Sequence, residues 1–563
     1  MKIKKLKVLF LLPIVFLMTS SQKTDPDYFE ISKNLKLVAS VYEKINNYYV
    51  DEILPGRVMK KGIDAMLKSL DPYTVYISEA QIEDFRFTTT GEYGGIGASI
   101  KKRNNKTLIS ELYENSPAEK SGLIPGDEIK TIDEIEISNK TLEEIGSLLK
   151  GPAESIINLK IIRNNQLLEK LVKREKIQIP AVNFYKKINP STGIIKLTSF
   201  TNTASVEFKK ALSSLQDDKI KNLIIDLRAN GGGLLNEAVK IVNFFIPKGQ
   251  EVVSTKSRIK EMNRSYTTQA LPIAQDLSLV VLVDEYSASA SEIVAGSLQD
   301  LDKAIVIGNT SFGKGLVQQT KPVSFGGQIK LTVAKYYTPS GRCIQKLDYS
   351  TVQGSSKKIE DSLVKKFKTK NGRTVYDSRG IEPDIKIEPQ YFSAVTQNLL
   401  VKDVIFDFVN ENINYYKKDS LLPDSFVMSD TAYSTFMTYA INKKMDYQTE
   451  SSQQLKEFVK IAKKEKYVEE NEEVFKLLES IFKIDLSKDL KKHDKEIRFF
   501  LENEIISRKH FQKGRMEASI KEDPYVKQAI GVFKNTTKDK QILGINELLK
   551  STTHSKVYDF FNS

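Results

Sequence analysis

The 563-residue chain has one cysteine, Cys343, and only three histidines, His493, His510 and His554, all in its last stretch. A single thiol excludes any intrachain disulfide, so stability rests on hydrophobic cores. Without Cys pairs or an HExxH spacing, zinc chemistry has no support. Long apolar runs are also missing. The run Val8–Met18 is interrupted by Pro13, follows the basic MKIKKLK and precedes small residues ending at Ser21. It is too short to span a bilayer comfortably, and its flanks predict a signal peptide over residues 1–21. Export to the periplasm is expected, with retention as an uncleaved inner-membrane anchor the alternative. No cysteine follows the run, which excludes a lipid-anchored lipoprotein.

Charge of neither sign is scarce: 85 Lys and Arg against 72 Asp and Glu give a net charge of +13. The lysines are interspersed with acids and never form one block, which reads as a basic solvated surface and not as a nucleic-acid footprint. The length exceeds what one core can serve and requires several domains.

Hydrophobic spacing divides the chain. Leu37, Val38, Val41, Tyr42 and Ile45 share a helical face, and the pattern predicts a small helical unit from Leu35 to about Phe87, broken by the turn Asp71-Pro72-Tyr73-Thr74. From about Gly91 to Glu175, short β-type runs alternate with turns. From Ile177 to about Pro389, apolar strands alternate with amphipathic helices, the signature of a layered α/β domain, with an exposed Lys/Ser/Gly-rich loop expected over residues 347–374. From about Tyr391 the pattern is helical and rich in Lys and Glu, with charge runs that read as solvated helix faces.

Gly308 to Lys314 satisfies G-x-x-x-x-G-K and follows an apolar strand, as a phosphate-binding loop would. The next residue is Gly315 and not Ser or Thr, and the β-branched GLVQQTKP that follows is no helix, so the loop lacks both a magnesium ligand and a helix N-terminus for phosphate. If GLVQQT is instead extended, Lys314, Leu316 and Gln318 project on one face. A lysine stripped of water by such neighbours can lose its charge near neutral pH and act as a general base.

Upstream, Ser287, Ser289 and Ser291 lie at a strand-to-helix turn, where a helix N-terminus favours developing negative charge. Ser289 and Glu292 also satisfy the S-x-x-E capping box, which alone would explain one serine. The strand ending at Asp226 feeds the turn Arg228-Ala-Asn-Gly-Gly-Gly233, whose glycines either expose N–H groups for an oxyanion or merely allow tight βα packing.

Two resemblances bind these features. Gly94-Gly95-Ile96-Gly97-Ala98, joined to Asn115–Leu123 and Pro125-Gly126-Asp127, resembles the PDZ domain, whose glycine loop gathers N–H groups around a carboxylate beside a strand edge that pairs with a peptide. Asp133-Glu134 replaces a glycine turn usual in such domains. Together with DPYT, DLRANGGGLL, SASASEIVAGSLQD, FGKGLVQ and KYYTPSGRCIQ, the whole set resembles the C-terminal processing peptidases, the tail-specific serine proteases. The resemblance covers about two-thirds of the chain, from Leu35 to Pro389.

It implies a ClpP/crotonase-like protease core over residues 176–390, a PDZ domain over 89–175, an N-terminal helical region over 22–88 and a C-terminal helical domain over 391–563. It places Ser289 on the nucleophile, Lys314 on the general base and Gln318 on the residue orienting the lysine. The oxyanion hole would use the N–H of Ala290 and one of Gly232 or Gly233. Gly95, Ile96, Gly97 and Ala98 would bind the substrate carboxylate. Serine and lysine then replace the histidine triad. Unfolded or tagged protein C-termini are the implied substrates, cut without metal, nucleotide or other cofactor. A homo-oligomer is expected, and the C-terminal helices leave open subunit assembly, an adaptor-docking role or simple covering of the core.

Overall fold

The computed structural model of the chain describes residues 26–349, 356–388, 391–412, 421–443, 445, 447–535 and 541–544. The signal-like segment 1–21 lies outside them. Among the described residues no helix is long and apolar enough to cross a membrane.

A six-stranded sheet runs through the centre, in the order Val182–Asn189, Thr192–Leu197, Asn222–Asp226, Ser278–Val283, Ala304–Gly308 and Ile385–Lys386. All neighbours are parallel except the first pair. Strands that follow one another in both sequence and space, joined by crossovers of one hand, put all their helices on one face. The helices Ala204–Asp217, Leu235–Asn243 and Ala290–Asp300 accordingly share one core.

Strand side chains alternate between the two faces. Leu223, Ile225, Leu279, Val281, Ala304 and Val306 join that helical core, while Ile224, Val280, Leu282, Ile305 and Ile307 point away. The second face would be left to water if the core stood alone. It is covered by Val526, Ala529 and Val532 of the helix Pro524–Lys534, more than 200 residues downstream.

A second sheet pairs Gln328–Tyr337 with Glu251–Lys256, with Leu316–Pro322 and with the short strand Val75–Ile77. This last pairing corrects the expected N-terminal helical unit. The helices Pro26–Tyr48, Pro55–Lys68 and Ile82–Thr90 exist, but the chain between the last two contributes a strand to the α/β region. A three-residue strand carries no periodicity for a sequence to show. The stripe on the first helix, expected to pack, is exposed at Leu37, Val38 and Val41. Within the expected loop over residues 347–374, Lys366–Lys368 pairs with Thr374–Tyr376 in a hairpin and Arg373 is ion-paired to Asp302 and Asp384.

Residues 92–178 form a separate barrel-like unit around Ile109, Ile129, Ile145, Leu159 and Ile161, with the short helix Leu142–Leu149 packed on it. At the turn where a glycine was expected, Asp133 and Glu134 take positive φ values of 49° and 64°. Asp133 Oδ1 accepts from the Asn158 N–H at 2.8 Å and fixes the turn. A left-handed non-glycine residue costs about 1–2 kcal/mol, so Glu134→Gly is expected to stabilise this unit by about 1 kcal/mol in denaturant unfolding. Among the described residues, the elements from Ala394 to Lys534 are helices, packed around Phe408, Phe436, Leu490 and Leu501.

Candidate active site

Three loops meet at the carboxyl ends of the central strands. The first follows Asp226. Asn230, fully buried, donates from its amide to Leu197 O at 2.7 Å and accepts at Oδ1 from Gly232 N–H at 2.9 Å. Its carbonyl accepts from Ala288 N–H at 3.0 Å and from Ser291 Oγ at 2.8 Å. The glycine loop is thereby fastened to the serine loop. Gly232 (φ 98°) lies so close that a Cβ there would sit 2.6 Å from Ala288 O and 2.8 Å from Ser289 Cβ, and one on Gly233 would sit 2.4 Å from Phe200 O. Close approach, not turning alone, requires these glycines.

The second loop separates three serines that sequence leaves equivalent. Ser287 and Ser291 are fully buried, with hydroxyls donating to Leu227 O and Asn230 O. Ser289 is half-buried and lines a cavity of about 720 Å³. Its backbone is strained, at φ 57° and ψ −110°. Such a conformation costs of order 1–3 kcal/mol and persists where its surroundings over-determine it. Here Ser289 N–H donates to Glu292 Oε2 at 2.8 Å, and its carbonyl accepts from the Tyr336 hydroxyl at 3.1 Å.

Glu292 is more than half of a capping box. Its carboxylate, wholly buried, accepts from Ser311 Oγ (2.6 Å) and Gly313 N–H (2.7 Å) at Oε1, and from Ser289 N–H and Lys314 N–H (2.9 Å) at Oε2. One carboxylate thus joins the serine loop to the lysine loop. Burial pushes its pKa upward against the pull of these four donors. The arrangement also closes the phosphate-loop question, because the Gly313 and Lys314 N–H groups that would cradle a phosphate are already bound to Glu292.

In the third loop Lys314 precedes the strand Leu316–Pro322, and the register shift opposite Val317 and Gln318 places its extra residue, Val333, on the partner strand Gln328–Tyr337. Lys314, Leu316 and Gln318 all line the same cavity as Ser289, Gly232 and Gly233. Lys314 Nζ sits 4.3 Å from the centre of the Tyr73 ring. Its pKa is lowered to about 8, first by burial and then by the charge of Lys330, against the pull of Glu292 and Asp71.

Gln318 donates from its amide to Thr332 Oγ1 at 3.2 Å. The Thr332 N–H in turn donates to Thr74 Oγ1, and Thr74 donates to Asp71. Among the described residues no hydrogen bond joins Gln318 or Ser289 to Lys314 Nζ. The Ala290 and Gly233 N–H groups have no acceptor among those residues, whereas Gly232 N–H is taken by Asn230.

Sequence reasoning gave no role to Tyr73, Thr74, Lys330, Thr332 or Tyr336, and treated Glu292 only as a cap. DPYT was visible as a motif, but nothing local places Tyr73 beside a lysine 241 positions later.

At the PDZ loop, Ile96 O accepts from Ala118 N–H and Gly97 O from Tyr113 N–H. Gly95 is buried, and Gly97 has φ 71° with Ser116 Cβ 2.5 Å from any added Cβ. Ile96 and Ala98 border a groove of about 200 Å³ against Gly146 and Leu149 of the short helix. Phe87 also lines this groove and meets Tyr93 edge-on at 5.3 Å. Phe87 belongs to the helix Ile82–Thr90, whose Phe85, Thr88 and Thr89 line the Ser289 cavity.

Residues 191–353 match the family described as Peptidase family S41, and residues 108–163 match the PDZ domain. This chain carries a peptidase family S41 domain. Its helical end, residues 395–533, matches a domain described as "Probable PDZ-protease, C-terminal helical domain". Over 312 residues the chain is 36% identical to a "Probable CtpA-like serine protease" of Staphylococcus aureus (strain bovine RF122 / ET3-1), covering 55% of this chain and 62% of that protein. A Staphylococcus epidermidis protein of the same description is 35% identical over the same length, with 63% of it covered. The match thus spans about three-fifths of these relatives. Among solved structures, the photosystem II D1 C-terminal processing protease aligns at 23% identity and a TM-score of 0.35, covering 63% of this chain and 93% of its own.

Proposed function

We propose that the chain is an exported serine endopeptidase that cuts unfolded or tagged proteins near their C-termini. The observation that carries this reading is the convergence of Ser289 and a desolvated Lys314 on one cavity, with unpaired N–H groups beside the serine.

A lysine with a pKa of about 8 is about one-tenth neutral at pH 7. Neutral Lys314, leaving its place over Tyr73, takes the Ser289 hydroxyl proton as Oγ attacks the peptide carbonyl. The oxyanion that forms is held by the N–H groups of Ala290 and Gly233, with Gly232 shaping the turn. The lysine then protonates the leaving amine, and water releases the acyl group from Ser289 by the same proton path. Gln318, through Thr332, Thr74 and Asp71, fixes the strand flanking the lysine. The layered core is read as ClpP/crotonase-like. Gly95, Ile96, Gly97 and Ala98 would receive the substrate carboxylate, with its side chains in the groove bordered by Phe87. The N-terminal segment supports periplasmic placement, free or tethered to the inner membrane. The exposed stripe on Pro26–Tyr48 supports a homo-oligomer, and an adaptor remains compatible with the C-terminal helices.

The test is incubation of the wild type and of Ser289→Ala with an unfolded protein, reading fragments by mass spectrometry. Ser289→Ala is expected to abolish cleavage while leaving the thermal unfolding midpoint nearly unchanged. Equal fragments from both proteins would remove the assignment.

A further inference from the structure

Among the described residues, one ion pair, Arg228 with Asp523, joins the helical C-terminal region to the active-site loops. Arg228 lies within the glycine turn that carries Gly232 and Gly233. Its Nε and Nη2 donate to the two oxygens of Asp226 at 2.9 and 2.7 Å, on a carboxylate that Lys196 also meets at 3.1 Å. The other edge of the same guanidinium donates to Asp523, from Nη1 to Oδ1 at 3.1 Å and from Nη2 to Oδ2 at 2.6 Å. The guanidinium is thus clamped between a carboxylate of the core and one of the C-terminal region, in the bidentate geometry that fixes orientation as well as charge.

Asp523 is itself held. It caps the helix Pro524–Lys534, its Oδ1 accepting from Tyr525 N–H at 2.9 Å and Val526 N–H at 3.3 Å. That helix is seated on the open face of the central sheet. Two residues on, the Tyr525 ring lies 4.6 Å from the Arg228 guanidinium carbon, and its hydroxyl meets the Asn309 amide at 3.2 Å. Asn309 opens the loop that ends at Lys314. The start of one helix therefore reaches both the glycine turn and the lysine loop.

The turn is held besides by Ala229 N–H, which donates to Asp284 at 3.0 Å, and by Asn230. Ala229 takes φ 58°, and Gly232 and Gly233 have no side chains of their own to anchor them. From the glycine turn, the fastening passes through Asn230 to Ala288 and Ser291, on either side of Ser289.

We propose that Asp523, supplied by the C-terminal helical region, is a positioning residue for the peptidase reaction, acting through Arg228 to hold the glycine turn in the geometry that receives the oxyanion. The helical region is then part of the catalytic apparatus and not only a cover. The inference rests on the peptidase reading above, and its test separates the two.

Asp523 has two roles, capping and charge pairing, which different substitutions isolate. Asp523→Asn and Asp523→Ser keep a good capping oxygen and lose the charge, whereas Asp523→Glu keeps the charge and is a poorer cap. All are made in the full chain and measured for kcat and KM on an unfolded protein. Hydrogen exchange is followed in residues 227–234, with residues 524–534 as the folding control.

The Asn and Ser variants are expected to lose about tenfold in kcat with KM within about twofold, because displacing oxyanion donors costs turnover and not binding. Their 227–234 amides are expected to exchange about fivefold faster, while Asp523→Glu stays within about twofold on both counts. Loss in the Glu variant alone, with Asn and Ser at the wild-type level, would make the residue a cap only. Wild-type kcat in the Asn and Ser variants, with or without faster exchange, would equally overturn the proposal. If the wild type itself cleaves nothing, the peptidase reading fails, and the exchange contrast alone decides whether Asp523 holds the turn.

Discussion

Replacing Glu292 by glutamine is expected to lower kcat by about a hundredfold and to destabilise the α/β core by about 3–6 kcal/mol. The carboxylate has two oxygens and four donors, two on each oxygen. An amide preserves only one of those oxygens as an acceptor. Whichever way it turns, its NH₂ faces either the Ser289 and Lys314 N–H groups or the Ser311 hydroxyl and Gly313 N–H. Two hydrogen bonds to a charged acceptor, each worth about 1.5–3 kcal/mol, are lost at a fully buried side chain. Against a total of about 5–15 kcal/mol for a domain, that loss is large. The kinetic effect follows from geometry, since Oε2 accepts from both the Ser289 and the Lys314 backbone N–H groups. A misplacement of about 1 Å between nucleophile and base costs of order a hundredfold. Unfolding followed by circular dichroism, and turnover at a temperature where the variant stays folded, separate the two effects. A variant that lost stability but kept wild-type kcat would show that Glu292 only packs the core.

The second large effect is expected at Gly232. An alanine there would place its Cβ 2.6 Å from Ala288 O, 2.8 Å from Ser289 Cβ and 2.9 Å from Ala290 N, and would take a φ of 98°. None of these neighbours is a flexible side-chain end. Two are backbone atoms of the serine loop and the third is the Cβ of the nucleophile. The turn must therefore move away from Ser289, carrying Gly233 with it and pulling the two unpaired N–H groups apart. Removal of one oxyanion donor costs about a hundred- to a thousandfold in kcat, and Gly232→Ala is expected to fall in that range. The PDZ groove lies elsewhere, so affinity for a C-terminal peptide, measured by fluorescence polarisation, should stay within about twofold. Retained turnover would mean that the turn does not serve the reaction.

Much of this site was legible in the sequence because its parts are local. A lysine between glycines, a hydroxyl cluster at a strand-to-helix turn and a glycine run after a strand each announce themselves within ten residues. Their meeting at one cavity follows from βα loops lying at the same end of a parallel sheet. The choice of Ser289 over Ser287 and Ser291 was not a matter of local pattern, because it depends on which hydroxyls Leu227 O and Asn230 O consume. Pairings such as Thr74 with Thr332 or Arg228 with Asp523 join residues 258 and 295 positions apart, where no periodicity operates. Covering of the core was one of the roles left open for the C-terminal helices, and the apolar residues of Pro524–Lys534 fill the face that same-handed crossovers leave open. The register shift opposite Val317 and Gln318 lies on the partner strand, at Val333, where the sequence does not mark it.

The pH dependence of kcat/KM on an unfolded substrate tests the central claim, that burial leaves Lys314 neutral often enough to deprotonate Ser289. Burial lowers the lysine from 10.5 to about 8. The neutral base therefore accumulates as pH rises through 8, while folded stability itself rises between about 8 and 10.5 as the cost of a buried ammonium is relieved. The account predicts a kcat/KM that climbs about tenfold per pH unit below 8 and levels above it. A profile flat from pH 6 to 10, or one that begins to climb only near 10, would contradict it.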